Sequence, residues 1–126
     1  MKIYFQNSLS RQKEEFKSIK KNNVGLYTCG PTVYDYPHIG NLSAYVIWDV
    51  LKRFLLSQGY DVKHVMNLTD VGHLTSDADE GEDKMETAKR REKKTAWEVA
   101  DYFIGVFKTS IKELNILEPS KFLRVT

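Results

Sequence analysis

The residues able to do chemistry gather between Thr28 and Asn41, TCGPTVYDYPHIGN, which holds the only cysteine, two prolines, two glycines and a histidine. Proline and glycine are costly inside regular helices and strands, so their crowding marks a shaped loop and a site. Just past Pro37, the residues His38, Ile39, Gly40 and Asn41 fall where a helix begins. The free backbone N–H groups and the dipole of a helix start attract anions. A phosphate suits this composition: glycine lets the backbone approach a ligand closely, and an imidazole adds a donor to charge on phosphate oxygens. A plainer reading of the same residues is that His38 only caps the helix and Gly40 packs against a neighbouring strand. The pattern alone leaves both open.

Such a loop needs elements to hold it. Residues 2–6 read as a short strand, and Ser8 to Asn23 as a polar, lysine-rich connector, loop or part helix. The β-prone run from Val24 to Cys29 stops at Gly30-Pro31, a turn signal. After Pro37, apolar residues recur at Ile39, Leu42, Val46, Val50 and Phe54, flanked by Ile47, Leu51 and Leu55, with Asp49, Lys52, Arg53 and Gln58 on other faces. That is helical spacing, and Gly59 supplies the stop. Tyr60 to Leu68 alternates with apolar content on both faces, as a buried strand does. Strand, helix and strand make a βαβ unit with a right-handed crossover in a parallel sheet. Cys29 to Asn41 is then the loop at a strand's carboxyl end, where open α/β sheets bind ligands. From Thr95 to Ile116 a second helix carries Ala96, Val99, Ala100, Phe103, Phe107, Ile111 and Leu114 on one face, opened by a Thr95/Glu98 capping box. The tail EPSKFLRVT receives no element.

At 126 residues, 41% hydrophobic and 29% charged, the chain suits one globular domain and not a disordered segment. A net charge of +2 gives no strong footprint for nucleic acid. One cysteine excludes an internal disulfide, no run approaches the roughly 20 apolar residues of a membrane span, and the charged start lacks a secretory signal. A cytoplasmic, monomeric protein without a membrane partner is expected, so the sequons at Asn41 and Asn67 are coincidental. The acidic loop from Thr69 to Lys84 fails as a calcium loop: counting from Asp77 puts Glu82 where glycine is needed and Ala88 where the bidentate glutamate belongs. It reads as a solvated surface loop, and His73 within it has no ligand partner. Lys89 to Lys94, KRREKK, is either a phosphate-contacting patch or a charged helix face.

The strings LYTCGPTVYD, HIGN and GYDVKHVMNLTDVGHLTSDADEGEDKM, at these separations, resemble the cysteinyl-tRNA synthetase family. HIGN stands where class I aminoacyl-tRNA synthetases carry their HIGH signature. The resemblance runs over essentially the whole chain and implies an α/β, Rossmann-like nucleotide-binding fold, a parallel sheet with flanking helices. Residues 1–126 would be the N-terminal half of the catalytic domain, a partial domain with no second one. It also implies ATP-dependent activation of L-cysteine to cysteinyl adenylate and transfer to tRNA(Cys), with Zn2+ as cofactor and ATP as substrate.

By the same matching, Cys29 is one of the zinc ligands, and the metal in turn binds the substrate thiolate. Such a site rejects serine better than a pocket that weighs one atom's size. The alternative for Cys29 is a buried structural thiol, the commoner fate of a lone cysteine. Gly30 and Thr32 would seat the cysteinyl adenylate, while Asn67 and Thr69 would contact its amino-acid part or else form a polar strand end making a turn. His38, Ile39, Gly40 and Asn41 would flank the ATP phosphates, with His38 and Asn41 as the catalytic pair. Asn41 stands where a second histidine is often found, and Ser43 where arginine is expected. The second class I signature, KMSKS, the remaining zinc ligands and an anticodon-binding region are not in this sequence. The chain by itself is therefore expected to bind zinc weakly and not to aminoacylate. Two other readings are a ligase joining cysteine to a small amine, as in mycothiol biosynthesis, and a non-catalytic nucleotide-binding module.

Overall fold

The computed structural model describes residues 2–70 and 96–126. Its elements are β1 (Tyr4–Asn7), β2 (Gln12–Glu15), β3 (Asn23–Thr28), α1 (Ile39–Ser57), β4 (Asp61–Leu68), α2 (Ala96–Glu113) and β5 (Lys121–Arg124). Strands β3, β4 and β5 pair in that order, all parallel. Register places Val24 beside Val62, Leu26 beside His64, Thr28 beside Met66 and Met66 beside Phe122. Side chains alternate across a strand, so these residues share one face.

That face carries the core. Met66, Leu68 and Val33 cluster with Tyr45 of α1 and with Val99, Phe103, Phe107 and Ile111 of α2. Val24 and Val62 cluster with Leu55 of α1 and Ile3, joined by Phe5 and Phe16 of the antiparallel β1–β2 hairpin. Tyr27, Lys63 and Leu123 point to the other face and are exposed, with Val65 and Asn67 half-buried. The α/β sheet and its flanking helices are as expected, a Rossmann-like arrangement. β4 departs from expectation in being buried on one face only.

Four further departures have physical causes. Within the expected connector, Gln12–Glu15 pairs with Tyr4–Asn7 although QKEE has no β-prone residue; Phe16 and Phe5 stack edge to face at 5.4 Å and hold the hairpin. The tail forms β5 because Phe122 has a place in the core beside Met66. On α1 the buried stripe runs through Tyr45, Asp49, Lys52 and Leu55, leaving Ile39, Val46 and Val50 exposed. Asp49 and Lys52 can lie inward because each is satisfied: Asp49 accepts from Leu117 N–H at 2.9 Å and Arg53 Nε at 2.6 Å, and Lys52 Nζ donates to Glu118 O at 2.7 Å. On α2 the expected face is the buried one from Val99 to Ile111, but Leu114 is exposed. Thr95, the acidic loop beyond Asp70, His73 and the KRREKK run lie outside the described residues. Among the described residues no helix is long and apolar enough to cross a membrane.

Candidate functional site

The carboxyl end of β3 is where the first part of the site is built. Ladder pairing reaches Thr28–Met66, stops, and resumes as a parallel bridge between Thr32 and Thr69. Val33 N–H donates to Thr69 O and Thr69 N–H to Pro31 O, both at 3.0 Å. Residues 29–31 therefore face only residues 67 and 68, one extra residue on the β3 side, and the chain bulges there. Gly30 is obligatory, since a Cβ would sit 1.7 Å from the carbonyl oxygen of Asn67. Its N–H donates to Asn67 Oδ1 at 3.0 Å, the same oxygen accepts from the Tyr27 hydroxyl at 3.0 Å, and Asn67 Nδ2 donates to Thr69 Oγ1 at 3.0 Å.

Cys29 rides on this bulge and is exposed, which overturns the buried-thiol alternative. The phenol of Tyr45, buried on α1, is pushed up to about 12 first by burial and then by Cys29.

At the start of α1, His38 is the N-cap, extended at φ −93° and ψ 170°. Its Nδ1 accepts from Gly40 N–H at 3.0 Å, while Asn41 Oδ1 accepts from His38 N–H at 3.2 Å, a reciprocal capping box. Asn41 and Leu42 N–H donate to His38 O at 3.0 and 3.1 Å. Gly40 is tight against the His38 imidazole, which a Cβ would meet at 2.9 Å; the cap, not a neighbouring strand, is what requires glycine. Because Nδ1 accepts, the neutral ring carries its proton on Nε2, an N–H donor on an exposed side chain. Capping and donation are thus compatible in one histidine. Ser43 turns back to donate to Gly40 O at 2.9 Å and presents no cation.

The structure thus assembles Cys29, Gly30, Thr32, Asn67 and Thr69 at adjoining strand ends, with His38, Ile39, Gly40 and Asn41 at the other end of the same loop. Sequence reasoning missed Tyr27 and Tyr45, whose aromatic character gave no signal of a role. It also missed Asp70, whose buried carboxylate accepts from Arg124 Nε at 2.5 Å and Thr126 Oγ1 at 2.8 Å, fastening β4 to β5 just past Thr69. The NLTD string and the tail arginine were visible, but nothing local pairs them. Among the described residues no group of three or more His, Cys, Asp or Glu side chains could hold a metal ion. Cys29 is one soft donor, and the described residues alone do not make a zinc centre.

Residues 15–126 match the family described as the tRNA synthetases class I (C) catalytic domain. The chain is similar to a cysteine–tRNA ligase of Zymomonas mobilis, 52% identical over 94% of the chain and 23% of that protein. A cysteine–tRNA ligase 1 of Burkholderia lata is 50% identical over 100% of the chain and 27% of the relative. One of Thermus thermophilus is 43% identical over 95% of the chain and 25% of the relative. The chain spans about a quarter of the length of these curated relatives.

Proposed function

The chain belongs to the class I tRNA synthetase (C) catalytic-domain family, and from that premise we propose that it forms the nucleotide- and amino-acid-binding first part of a cysteine–tRNA ligase. The whole ligase joins the cysteine carboxylate to the α-phosphate of ATP, releasing pyrophosphate, and passes the acyl group from the adenylate to a ribose hydroxyl of tRNA(Cys). No side chain of this stretch needs to attack covalently; its work is alignment and charge stabilisation. His38 Nε2–H donates to phosphate oxygens that gain charge, Asn41 holds His38 in place through the reciprocal cap, and Ile39 and Gly40 complete the helix start beneath the phosphates. Gly30, Thr32, Asn67 and Thr69 form the amino-acid end. Cys29 supplies one thiolate toward zinc, with the other donors coming from outside the described residues.

The observation that carries this reading is the outward-facing Cys29, set on a pinned bulge at the carboxyl ends of β3 and β4. Relatives named for tRNA charging at 43% to 52% identity favour this reading over ligation to an aminosugar. The test is a charging assay on the longer protein carrying this segment, with tRNA(Cys) and an aminosugar as rival acceptors. Cysteine should go to tRNA, and Cys29→Ser should lose both zinc and the preference for cysteine over serine. Transfer to the aminosugar, or full selectivity in Cys29→Ser, would refute it.

A further inference from the structure

The three polar contacts around Asn67 account for most of what its amide can do. Both lone-pair directions of Oδ1 are taken, one by Gly30 N–H and one by the Tyr27 hydroxyl, and Nδ2 gives a hydrogen to Thr69 Oγ1. An amide so engaged has its orientation fixed from within the protein. Its neighbours extend the frame. Thr69 is bonded through its backbone to Pro31 and Val33, so the chain that follows Cys29 is fastened twice: at Gly30 through Asn67 and at Pro31–Val33 through Thr69. Tyr27 lies on the sheet face away from α1 and α2, with 62% of its surface exposed, and its hydroxyl reaches across to β4 for this bond.

We propose that Asn67 and Tyr27 are positioning residues, which fix the Cys29–Gly30 bulge and so the direction in which Cys29 is presented; Tyr27 does this from outside the amino-acid end of the site and Asn67 from within it. The proposal rests on Cys29 and Gly30 belonging to the amino-acid end of the site. The side chain here must accept twice at one oxygen. Aspartate keeps that acceptor for Gly30 and Tyr27, and the Thr69 hydroxyl can turn to donate to its second oxygen, whereas alanine leaves the Gly30 N–H without its partner.

Amide hydrogen exchange on the 126-residue chain separates this from general stabilisation. Gly30 N–H is the reporter and Val33 N–H, bonded to Thr69 O, the internal reference. Asn67→Ala should speed exchange at Gly30 by about tenfold or more and Tyr27→Phe by a few-fold, both sparing Val33, while Asn67→Asp restores protection at Gly30. Titration with a non-hydrolysable cysteinyl adenylate analogue supplies the functional readout: affinity should fall in Tyr27→Phe with the melting temperature nearly unchanged. Unaltered Gly30 exchange in Asn67→Ala overturns the proposal, as does equal loss of protection at Val33. Unweakened analogue binding in Tyr27→Phe overturns it too. Absence of analogue binding by the unmodified chain would count against the amino-acid site itself, and the exchange data would still decide whether Asn67 holds the bulge.

Discussion

Gly30 and His38 each meet a structural demand beside the chemical role proposed for them, and substitutions can separate the two. A methyl group at position 30 would meet a backbone carbonyl at 1.7 Å, which cannot swing aside as a side chain would. Gly30→Ala should therefore destabilise the chain by about 3 kcal/mol or reshape the bulge, seen as a large drop in melting temperature. At His38, alanine removes the cap and should cost about 1 kcal/mol of stability, whereas asparagine still caps. Asparagine has no Nε2–H equivalent, so His38→Asn should keep stability and lose ATP affinity in the longer protein, measured by calorimetry. Equal nucleotide affinity in His38→Asn would remove the phosphate role and leave only the cap. The residue scale was also where the sequence spoke most clearly. Cys29, Gly30, His38 and Gly40 stood out because each is an unusual residue at a place where ordinary structure does not want it. Tyr27 did not, since a tyrosine in a strand is unremarkable, and Asn67 was marked only by the family resemblance; the bond between them is invisible until the two strands are laid side by side.

Among the elements, β4 carries the most telling buried group. His64 is almost fully buried, its Nε2 lies 2.9 Å from Thr28 Oγ1, and its Nδ1 has no partner among the described residues. Burial, and then the nearby Lys52 ammonium, hold its pKa below the ordinary 6.5, against an opposing pull from Asp49. The folded chain therefore prefers neutral His64 while the unfolded chain takes up a proton near pH 6.5. Stability is complete above that pH and declines below it, by at most about 1.4 kcal/mol per pH unit from this group. Melting temperatures at pH 7.5 and 5.5 should differ, and His64→Leu should flatten the difference; an unchanged slope would acquit His64. Asp70 acts in a separate window. Burial raises its pKa, but hydrogen bonds from Arg124 and Thr126 outweigh this and hold it below the ordinary 3.8, so its contribution fades only at more acid pH. At this scale the sequence was half legible. The period of α1 was right and its inward face only partly so: Leu42, Leu51, Phe54 and Leu55 pack inward, but apolar spacing cannot foresee that Asp49, Lys52 and Arg53 would meet the carbonyl and N–H groups of residues 115–118. The face of α2 was legible because Val99, Phe103, Phe107 and Ile111 compete with no such polar partners.

As a whole, the described residues set the proposed binding residues at strand ends and pack α1 and α2 on one face of the sheet. Zinc centres that are worth about 10–16 kcal/mol use a full tetrahedral donor set, and this chain offers Cys29 alone among its described residues. Equilibrium dialysis of the purified chain should show zinc held more weakly than about 1 μM, and tRNA(Cys) should remain uncharged in its presence. Tight zinc or measurable charging would refute the proposed division of labour. The overall architecture was legible up to β4, since β3, α1 and β4 are neighbours in sequence with clear periods. β5 was not, because four residues with charged ends gain strand character only from Met66 and Leu68, more than fifty positions away. That separation has a consequence for the order of events during synthesis. Every contact that shapes the Cys29 bulge, from Tyr27 to Thr69, lies within the first βαβ unit, whereas the Asp70 clasp waits for Arg124 and Thr126. Synthesis runs from the N-terminus, so the nearer contacts become available before the distant ones. Pulse-labelled amides should therefore gain protection at Gly30 and Thr69 before Val125, so the growing chain has its Cys29 turn in shape before the sheet is latched.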